Sequence, residues 1–237
     1  YVEFTKRLKD IDIGSEKRRS VLERIFFHDI MNTAGGAKGL VDMIFEDSPP
    51  YLRDLAALAQ QTMEELMDEI KMHQELVALE RGTYQAQMLT LNASEVLRNV
   101  LCQYQGLPLA QNRTLRIVHD LEESSILVEA DYTLLRRTLG NMIKNSLEAT
   151  PEGGQVSMGV EETDKRARFW VHNEGTMPLE VQMQIFQRSF STKGTGRGVG
   201  TYSIKLLTEN YHHGRVGFAS NAEEGTTFWV EIPIKKD

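Results

Sequence analysis

The chain of 237 residues is long enough for one large domain or two small ones, and 41% hydrophobic with 26% charged residues is typical of a soluble globular protein. Its net charge of −7 argues against general binding to nucleic acids or to anionic membranes. The single cysteine, Cys102, excludes an internal disulfide, and no stretch approaches the ~20 apolar residues of a membrane span. We expect a fragment of a longer protein, because the chain begins at Tyr1 rather than Met. The single cysteine fits a reducing cytoplasm, and without an apolar span we expect no membrane contact of this fragment.

The first third of the chain has the apolar spacing of two long helices. Between residues 15 and 45, the side chains of one largely apolar stripe recur every three or four positions, at Leu22, Phe26, Ile30, Thr33, Ala37, Leu40 and Ile44. Asp47-Ser-Pro-Pro50 ends this helix, and we expect the proline pair in the first turn of a second helix that continues to about Glu80. A helical hairpin cannot bury its apolar stripe alone, so we predict a homodimer in which two hairpins form a four-helix bundle.

His28 lies in the first predicted helix, on its polar side. At ~100° per residue, its side chain points roughly 155° from the centre of the apolar stripe, so we expect it to face solvent. Asn32 shares this face one turn later, and Asp29 is adjacent in sequence. An exposed neutral imidazole is a competent nucleophile, and a nearby carboxylate raises its basicity. A solvated surface histidine is the alternative that this helix alone leaves open.

A break at Gly82 divides the chain into predicted domains 1–82 and 83–237. Beyond the break, helices and strands alternate in a pattern that predicts a two-layer α/β sandwich, with helices over one face of a mixed sheet. The predicted helices are 93–109, capped by Asn92, a helix capped by Asp131 that carries Asn141, then 181–186 and 200–211. The predicted strands are 115–118, 126–128, 155–160, 166–172, 215–219 and 226–232.

Asn141 and Asn145 lie one turn apart on one face of their predicted helix, whose other face is apolar at Leu139, Met142, Ile143 and Leu147. Amides on a core-packed helix need polar partners, because a buried amide without a hydrogen bond costs free energy. Their oxygens suit a hard cation such as Mg²⁺, or groups of a ligand that carries phosphates. A surface or capping role is the alternative.

The segment 191–200 holds four glycines within seven positions, directly before a predicted helix. Glycine allows close backbone approach, so successive N–H groups can cradle a phosphate, and Lys193 and Arg197 could add charge. The spacing differs from that of a P-loop. A flexible linker is the alternative, although linkers rarely run straight into an amphipathic helix.

Five segments in this order resemble the N, G1, F, G2 and G3 boxes of the Bergerat-type ATP-binding domain of sensor histidine kinases. They are the Asn141/Asn145 helix, His172-Asn-Glu-Gly175, Ile185-Phe-Gln-Arg-Ser-Phe190, the glycine loop and Gly225-Thr-Thr-Phe228. Phe26 to Asn32 resembles the H box of the family's dimerisation and phosphotransfer hairpin. The resemblance covers about residues 15 to 233. It implies an N-terminal all-α hairpin followed by a two-layer α/β sandwich of the Bergerat type.

The resemblance implies a role for each matching residue. His28 corresponds to the phospho-acceptor, Asp29 to the acidic residue that assists it, and Asn32 to the position implicated in dephosphorylating a partner regulator. Asn145 would coordinate Mg²⁺ that bridges the ATP phosphates, with Asn141 as a second contact. The remaining ATP contacts are expected at Asn173, Gly175, Lys193, Gly196, Arg197, Gly198, Gly200 and Thr226, and Phe186 and Phe190 would anchor a mobile lid.

The implied activity is ATP-dependent autophosphorylation of His28 and transfer of the phosphoryl group to an Asp of a response-regulator receiver domain, with phosphatase activity as a further expectation. Two alternatives stay open. One is an ATP-hydrolysing protein of the same fold, although such proteins usually carry a Glu general base one turn before the metal Asn, where this chain has Asn141. The other is a degenerate kinase that acts as a signalling scaffold.

Three departures from the family pattern bear on nucleotide affinity. Asn173 stands where the family usually has an Asp that accepts a hydrogen bond from the adenine amino group, which removes roughly half the strength of a charge-assisted bond. The G1 segment 175–178 is one residue short and lacks its second glycine, and Thr33 replaces the proline usual five residues after the histidine. We expect weakened but real ATP binding.

Overall fold

The computed structural model describes residues 2–118, 126–188 and 200–235. The chain divides into two compact units, Tyr1–Ala78 and Leu79–Asp237. This division falls close to the predicted break at Gly82, and the domain bounds 1–82 and 83–237 stay a prediction. Among the described residues, no helix is both long enough and apolar enough to cross a membrane.

Two helices make up the first unit, α1 (Val2–Asp47) and α2 (Arg53–Glu80), the latter ending just inside the second unit. The proline pair precedes α2 rather than lying in its first turn, which corrects that expectation. Polar side chains join the two helices: Gln60 donates to Asp42 Oδ1 at 2.8 Å, and Lys38 Nζ lies 3.5 Å from Glu64 Oε1. The pairing of two such hairpins in a four-helix bundle stays a prediction.

The strands of the second unit are β1 (Met88–Asn92), β2 (Thr114–Ile117), β3 (Leu127–Asp131), β4 (Gln155–Thr163), β5 (Arg166–Asn173), β6 (Arg215–Asn221) and β7 (Gly225–Pro233). Five of them form a mixed sheet with the order β2-β4-β5-β7-β6. The β2 and β4 strands are parallel, and the other neighbouring strands of this sheet are antiparallel. The remaining two, β1 and β3, form a separate antiparallel pair. The helices are α3 (Ala93–Gln105), α4 (Tyr132–Ala149), α5 (Leu179–Gln182) and α6 (Gly200–Leu206).

One face of the sheet packs against helices and forms the core. Alternate residues of β5, Ala167, Phe169 and Val171, are fully buried there, as the period of two in a strand requires. The apolar face predicted for α4 is also fully buried, at Leu139, Met142, Ile143 and Leu147. This two-layer arrangement confirms the predicted α/β sandwich of the Bergerat type.

The other face of the sheet carries two tryptophans paired with glycines across neighbouring strands. Trp170 pairs with Gly159 and with Trp229, and Trp229 pairs with Gly217. A β-carbon at Gly159 would lie 2.6 Å from the Trp170 ring, so the indole covers the glycine backbone directly. Each ring therefore shields a strand that glycine would otherwise weaken.

The helix caps and helix ends agree in part with those predicted from the sequence. Asn92 accepts a hydrogen bond from Glu95 N, and Asp131 caps α4, as predicted. Two helix ends were wrong, because α3 stops at Gln105, before Gly106 and Pro108, and α5 covers only Leu179–Gln182. The predicted helix 200–211 has the expected bounds, but its last part, Leu207–Tyr211, is a π-helical turn.

Candidate functional site

The helix α4 carries the two predicted amides. Its position is fixed by its N-terminal cap and by its buried apolar face. Asp131 Oδ1 accepts a hydrogen bond from Leu134 N at 3.0 Å, which satisfies one of the unpaired donors of the first turn. The second oxygen of Asp131 accepts from Gln87 N at 2.8 Å. With the opposite side buried in the core, Asn141 and Asn145 are held on the half-buried side of the helix.

Asn141 is hydrogen-bonded to a residue that the sequence did not single out. Its amide nitrogen donates to Ser203 Oγ at 2.8 Å, and the Ser203 hydroxyl donates to the Gly200 carbonyl oxygen at 2.9 Å. Ser203 is fully buried. The last glycine of the loop, Gly200, is thereby connected to the α4 helix.

Asn145 carries an unpaired polar atom. Its amide nitrogen is buried and has no hydrogen-bond partner among the residues that the structure describes. A β-carbon at Gly200 would lie 3.9 Å from Asn145 Oδ1, so this glycine is a neighbour of the amide. A buried donor without a partner suits a ligand that brings an acceptor such as a phosphate oxygen, and the amide oxygen suits Mg²⁺. The residues present therefore fit a metal–phosphate group.

A second group of polar residues lies where β5 ends. Asn173, buried at 2% exposure, pairs in register with Thr226 of β7. Thr226 donates its hydroxyl proton to the Gly175 carbonyl oxygen at 2.7 Å, and the Asn173 amide nitrogen donates to the same oxygen at 3.4 Å. A β-carbon at Gly175 would lie 3.1 Å from the carbonyl oxygen of Ala149, the last residue of α4. The close approach at Gly175 thus brings the β5 end to the C-terminal end of the amide-bearing helix.

The short segment after β5 is fixed by a chain of hydroxyl groups. Because Thr226 gives its proton to Gly175, the 2.7 Å contact between Thr226 and Ser220 requires Ser220 to donate. Ser220 in turn accepts from Met177 N at 2.9 Å. Gly175 and Met177, on either side of Thr176, are therefore tied to β7 and β6 despite the shortened glycine segment.

The predicted lid is described only at its two ends. Lys193, Gly196, Arg197, Gly198 and Phe190 lie outside the described residues. Phe186 lies before the loop and packs against Phe218 and Phe228, with ring centroids 5.9 and 6.4 Å away. At the other end, Gly200 begins α6.

The predicted phospho-acceptor segment lies in α1 of the first unit. His28 and Asp29 are 71% and 70% exposed, so the histidine faces solvent as its helical phase predicts. Its Nδ1 lies 3.2 Å from both Asp29 Oδ1 and the Asn32 amide nitrogen. The first contact needs a proton on Nδ1 and the second a lone pair, so a neutral ring makes one of them at a time. With the proton towards Asp29, Nε2 carries the lone pair that a nucleophile needs.

Sequence reasoning missed Ser203 and Ser220. Ser203 bonds to Gly200 three residues earlier, which a serine near a helix start often does, but nothing local indicates its partner Asn141, 62 residues away. Ser220 is one polar residue in an alternating strand. Neither carries a signal that separates it from an ordinary buried hydroxyl. Across the described residues, no cluster of three or more His, Cys, Asp or Glu side chains could hold a metal.

The chain is similar to known proteins in sequence and in fold. Residues 130–236 match the family described as histidine kinase-, DNA gyrase B- and HSP90-like ATPases. Sporulation kinase C of Bacillus subtilis is 35% identical over 118 residues, which are 49% of this chain and 27% of that protein. The solved catalytic domain of the histidine kinase ThkA is 30% identical with a TM-score of 0.55, and the match covers 62% of this chain and 97% of that one. A solved complex of ThkA with the response regulator TrrA matches 93% of this chain and 64% of that one, at 23% identity and a TM-score of 0.62.

The second unit therefore contains a domain of this ATPase family. More narrowly, the chain belongs to the sensor histidine kinases, which confirms the predicted family. It spans about a quarter of the length of Sporulation kinase C and of the sensor protein DivL of Caulobacter vibrioides.

Proposed function

We propose that this chain is the catalytic core of a sensor histidine kinase, which uses ATP and Mg²⁺ to phosphorylate its own His28. The observation that supports this most directly is the solvent-facing group of His28, Asp29 and Asn32 in a chain whose other unit has the fold of an ATPase domain. An exposed histidine with a carboxylate against Nδ1 is arranged to act as a nucleophile through Nε2.

ATP would bind in the second unit between two groups of residues. Asn173, Gly175 and Thr226 would surround the adenine, with the Asn173 oxygen accepting from its amino group. Asn141, Asn145 and Gly200 would lie at the phosphates, together with Lys193, Gly196, Arg197 and Gly198 of the loop. The amide oxygens of Asn145 and Asn141 would hold Mg²⁺, which neutralises charge on the phosphates when bound. The unpaired donor of Asn145 supports this proposal.

In the phosphorylation step, the Nε2 lone pair of His28 forms a bond to the γ-phosphorus. The bond from this phosphorus to the β–γ bridging oxygen breaks, and ADP leaves. The ring proton remains on Nδ1, where the Asp29 carboxylate balances the positive charge that develops on the imidazole. Asn32, within 3.4 Å of Nε2, would later orient a water if the chain also dephosphorylates a partner regulator.

The phosphoryl group would then pass to an Asp of a response-regulator receiver domain. Support for this partner comes from the ThkA–TrrA complex, in which a kinase of the same fold is bound to a response regulator.

We also propose that the chain forms a homodimer. Large apolar side chains of α1 and α2 are exposed in the single chain, including Phe26 at 59%, Leu40 at 64% and Leu55 at 64%. Pairing two hairpins, each within the proposed domain 1–82, would remove this surface from water in a four-helix bundle.

Incubation with γ-labelled ATP and Mg²⁺ tests the proposed function. We expect acid-labile, alkali-stable label on the protein, its loss in His28→Ala, and its retention in a control, His73→Ala, which changes a half-buried histidine of α2. Label that persists in His28→Ala would refute the assignment of the acceptor. Release of free phosphate without labelled protein would indicate an ATPase, and neither product would indicate a signalling scaffold.

A further inference from the structure

We propose that Ser203 is a positioning residue of the phosphate end of the nucleotide site. It fixes which end of the Asn141 amide is presented to the metal and phosphates. This inference rests on the proposed function, since it assumes that Mg²⁺ and ATP bind beside α4.

The hydroxyl group of Ser203 has a single proton to donate. The Gly200 carbonyl oxygen, 2.9 Å from Ser203 Oγ, can only accept, so the hydroxyl proton is used there. The 2.8 Å contact between Ser203 Oγ and Asn141 then needs its proton from the amide nitrogen. A carbonyl oxygen in the backbone thus determines, through Ser203, that Asn141 turns Nδ2 towards α6 and keeps Oδ1 for other partners.

Burial makes this arrangement exclusive. Ser203 is fully buried, so water cannot replace Asn141 as its partner without a local opening. If the amide rotated by half a turn, the Asn141 oxygen would face the serine oxygen while the only proton between them was already donated to Gly200. Either the Gly200 carbonyl oxygen or the half-buried Asn141 amide would then lose its hydrogen bond to Ser203, which is unfavourable. The orientation with Oδ1 available for a cation is therefore the one that satisfies every group.

Ser203 also connects the two amides of α4 through one backbone residue. Gly200 accepts from Ser203 and lies against Asn145, since a β-carbon there would be 3.9 Å from Asn145 Oδ1. The end of the glycine loop and the amides at positions 141 and 145 are consequently held as one group. Residues behind a metal ligand that hold it in this way commonly change metal affinity by about tenfold or more.

The test compares nucleotide binding with and without Mg²⁺ in three variants of the whole chain. In Ser203→Ala we expect the affinity for ATP with Mg²⁺ to fall about tenfold, while affinity measured with a chelator in place of Mg²⁺ changes less than about twofold. Ser203→Thr keeps the hydroxyl and should restore most of the Mg²⁺-dependent affinity. The control is Thr208→Val, which removes another fully buried hydroxyl next to α6 and should leave both affinities unchanged.

A merely structural role for Ser203 predicts a different result. Ser203→Ala would then lose affinity equally with and without Mg²⁺, in proportion to its lost stability, and this outcome would overturn the inference. Unchanged affinity in both conditions would overturn it too. Should Ser203→Ala fail to fold, Ser203→Cys keeps the volume with a much weaker hydrogen-bonding group and should show the same selective loss. Wild-type protein that binds no nucleotide would instead refute the proposed function, and the role of Ser203 with it.

Discussion

Gly225 offers a direct test of how tightly the proposed adenine end of the site is packed. This residue begins β7 with φ of +76°, in the left-handed region that favours glycine. A β-carbon there would overlap the Asn173 carbonyl oxygen and lie 2.8 Å from Glu174 Cα. Both neighbours are backbone atoms that cannot rotate away, so Gly225→Ala must displace the end of β5.

Two costs add up in this variant. The left-handed conformation costs an alanine roughly 1–2 kcal/mol. Overpacking against backbone that has to shift costs roughly another 1–3 kcal/mol. We therefore expect Gly225→Ala to lower the free energy of unfolding by about 2–5 kcal/mol. Because Asn173 moves with its own carbonyl, we also expect weaker ATP binding.

Gly153 supplies the matched control. Its φ is +81°, nearly the same as that of Gly225, but nothing lies within 4 Å of an added β-carbon. Gly153→Ala should therefore lose only about 1–2 kcal/mol and keep its nucleotide affinity. Urea unfolding and ATP titration of both variants separate the two costs. Equal losses of stability and unchanged ATP affinity in both variants would refute the packing argument.

Substitutions at three further positions test other parts of the second unit. Asp131→Ala should lower the free energy of unfolding in urea by about 2–3 kcal/mol, because it removes the cap of α4 and the acceptor of Gln87 N. Asp131→Asn keeps one acceptor oxygen and should lose less stability. Equal losses in the two variants would contradict this expectation. Burial lowers the pKa of His212 below its ordinary 6.5, against a smaller opposing effect of Asp131. The neutral imidazole therefore contributes its full stability above pH 6.5, and this stability is lost as the pH falls towards the lowered pKa. The temperature of thermal unfolding between pH 8 and 5 should consequently depend less on pH in His212→Gln than in wild type. Asn173→Asp should bind ATP more tightly in calorimetry, since a carboxylate accepts a charge-assisted hydrogen bond from the adenine amino group. The gain is reduced because the variant loses the hydrogen bond that Asn173 donates to the Gly175 carbonyl oxygen. An unchanged affinity would argue against contact between this residue and the base.

Features that are local in sequence could be predicted well. The spacing of Leu139, Met142, Ile143 and Leu147 identified the buried face of α4, and Asp131 identified its start, because both depend on residues within one or two turns. The same holds for the exposure of His28. Each of these predictions rests on the spacing of apolar residues or on a helix-capping residue, and both are visible in the local sequence.

Features that depend on distant partners could not be predicted. The strand β1 was missed because its residues 88–90 are exposed and its pairing with β3 joins segments nearly forty residues apart. The helix after Gly200 ends in a π turn because His212 N reaches the Leu207 carbonyl oxygen, five residues back, at 3.2 Å. The sequence of this stretch is compatible with either helical pattern. Residues 181–186 have helical spacing, but α5 ends at Gln182 and Phe186 packs on Phe218 and Phe228.

The contacts of Asn141 also bear on whether phosphoryl transfer or hydrolysis is the chemistry of this fold. An amide cannot take a proton from water, so Asn141 cannot act as the general base that we expect at this place in an ATP-hydrolysing protein of the same fold. Its surroundings moreover suit an amide rather than a carboxylate. A carboxylate there would face Ser203 Oγ with no proton between them, unless the serine abandoned the Gly200 carbonyl. The network that orients the amide thus disfavours the acid that water activation would need, and this supports His28 rather than water as the acceptor of the phosphoryl group.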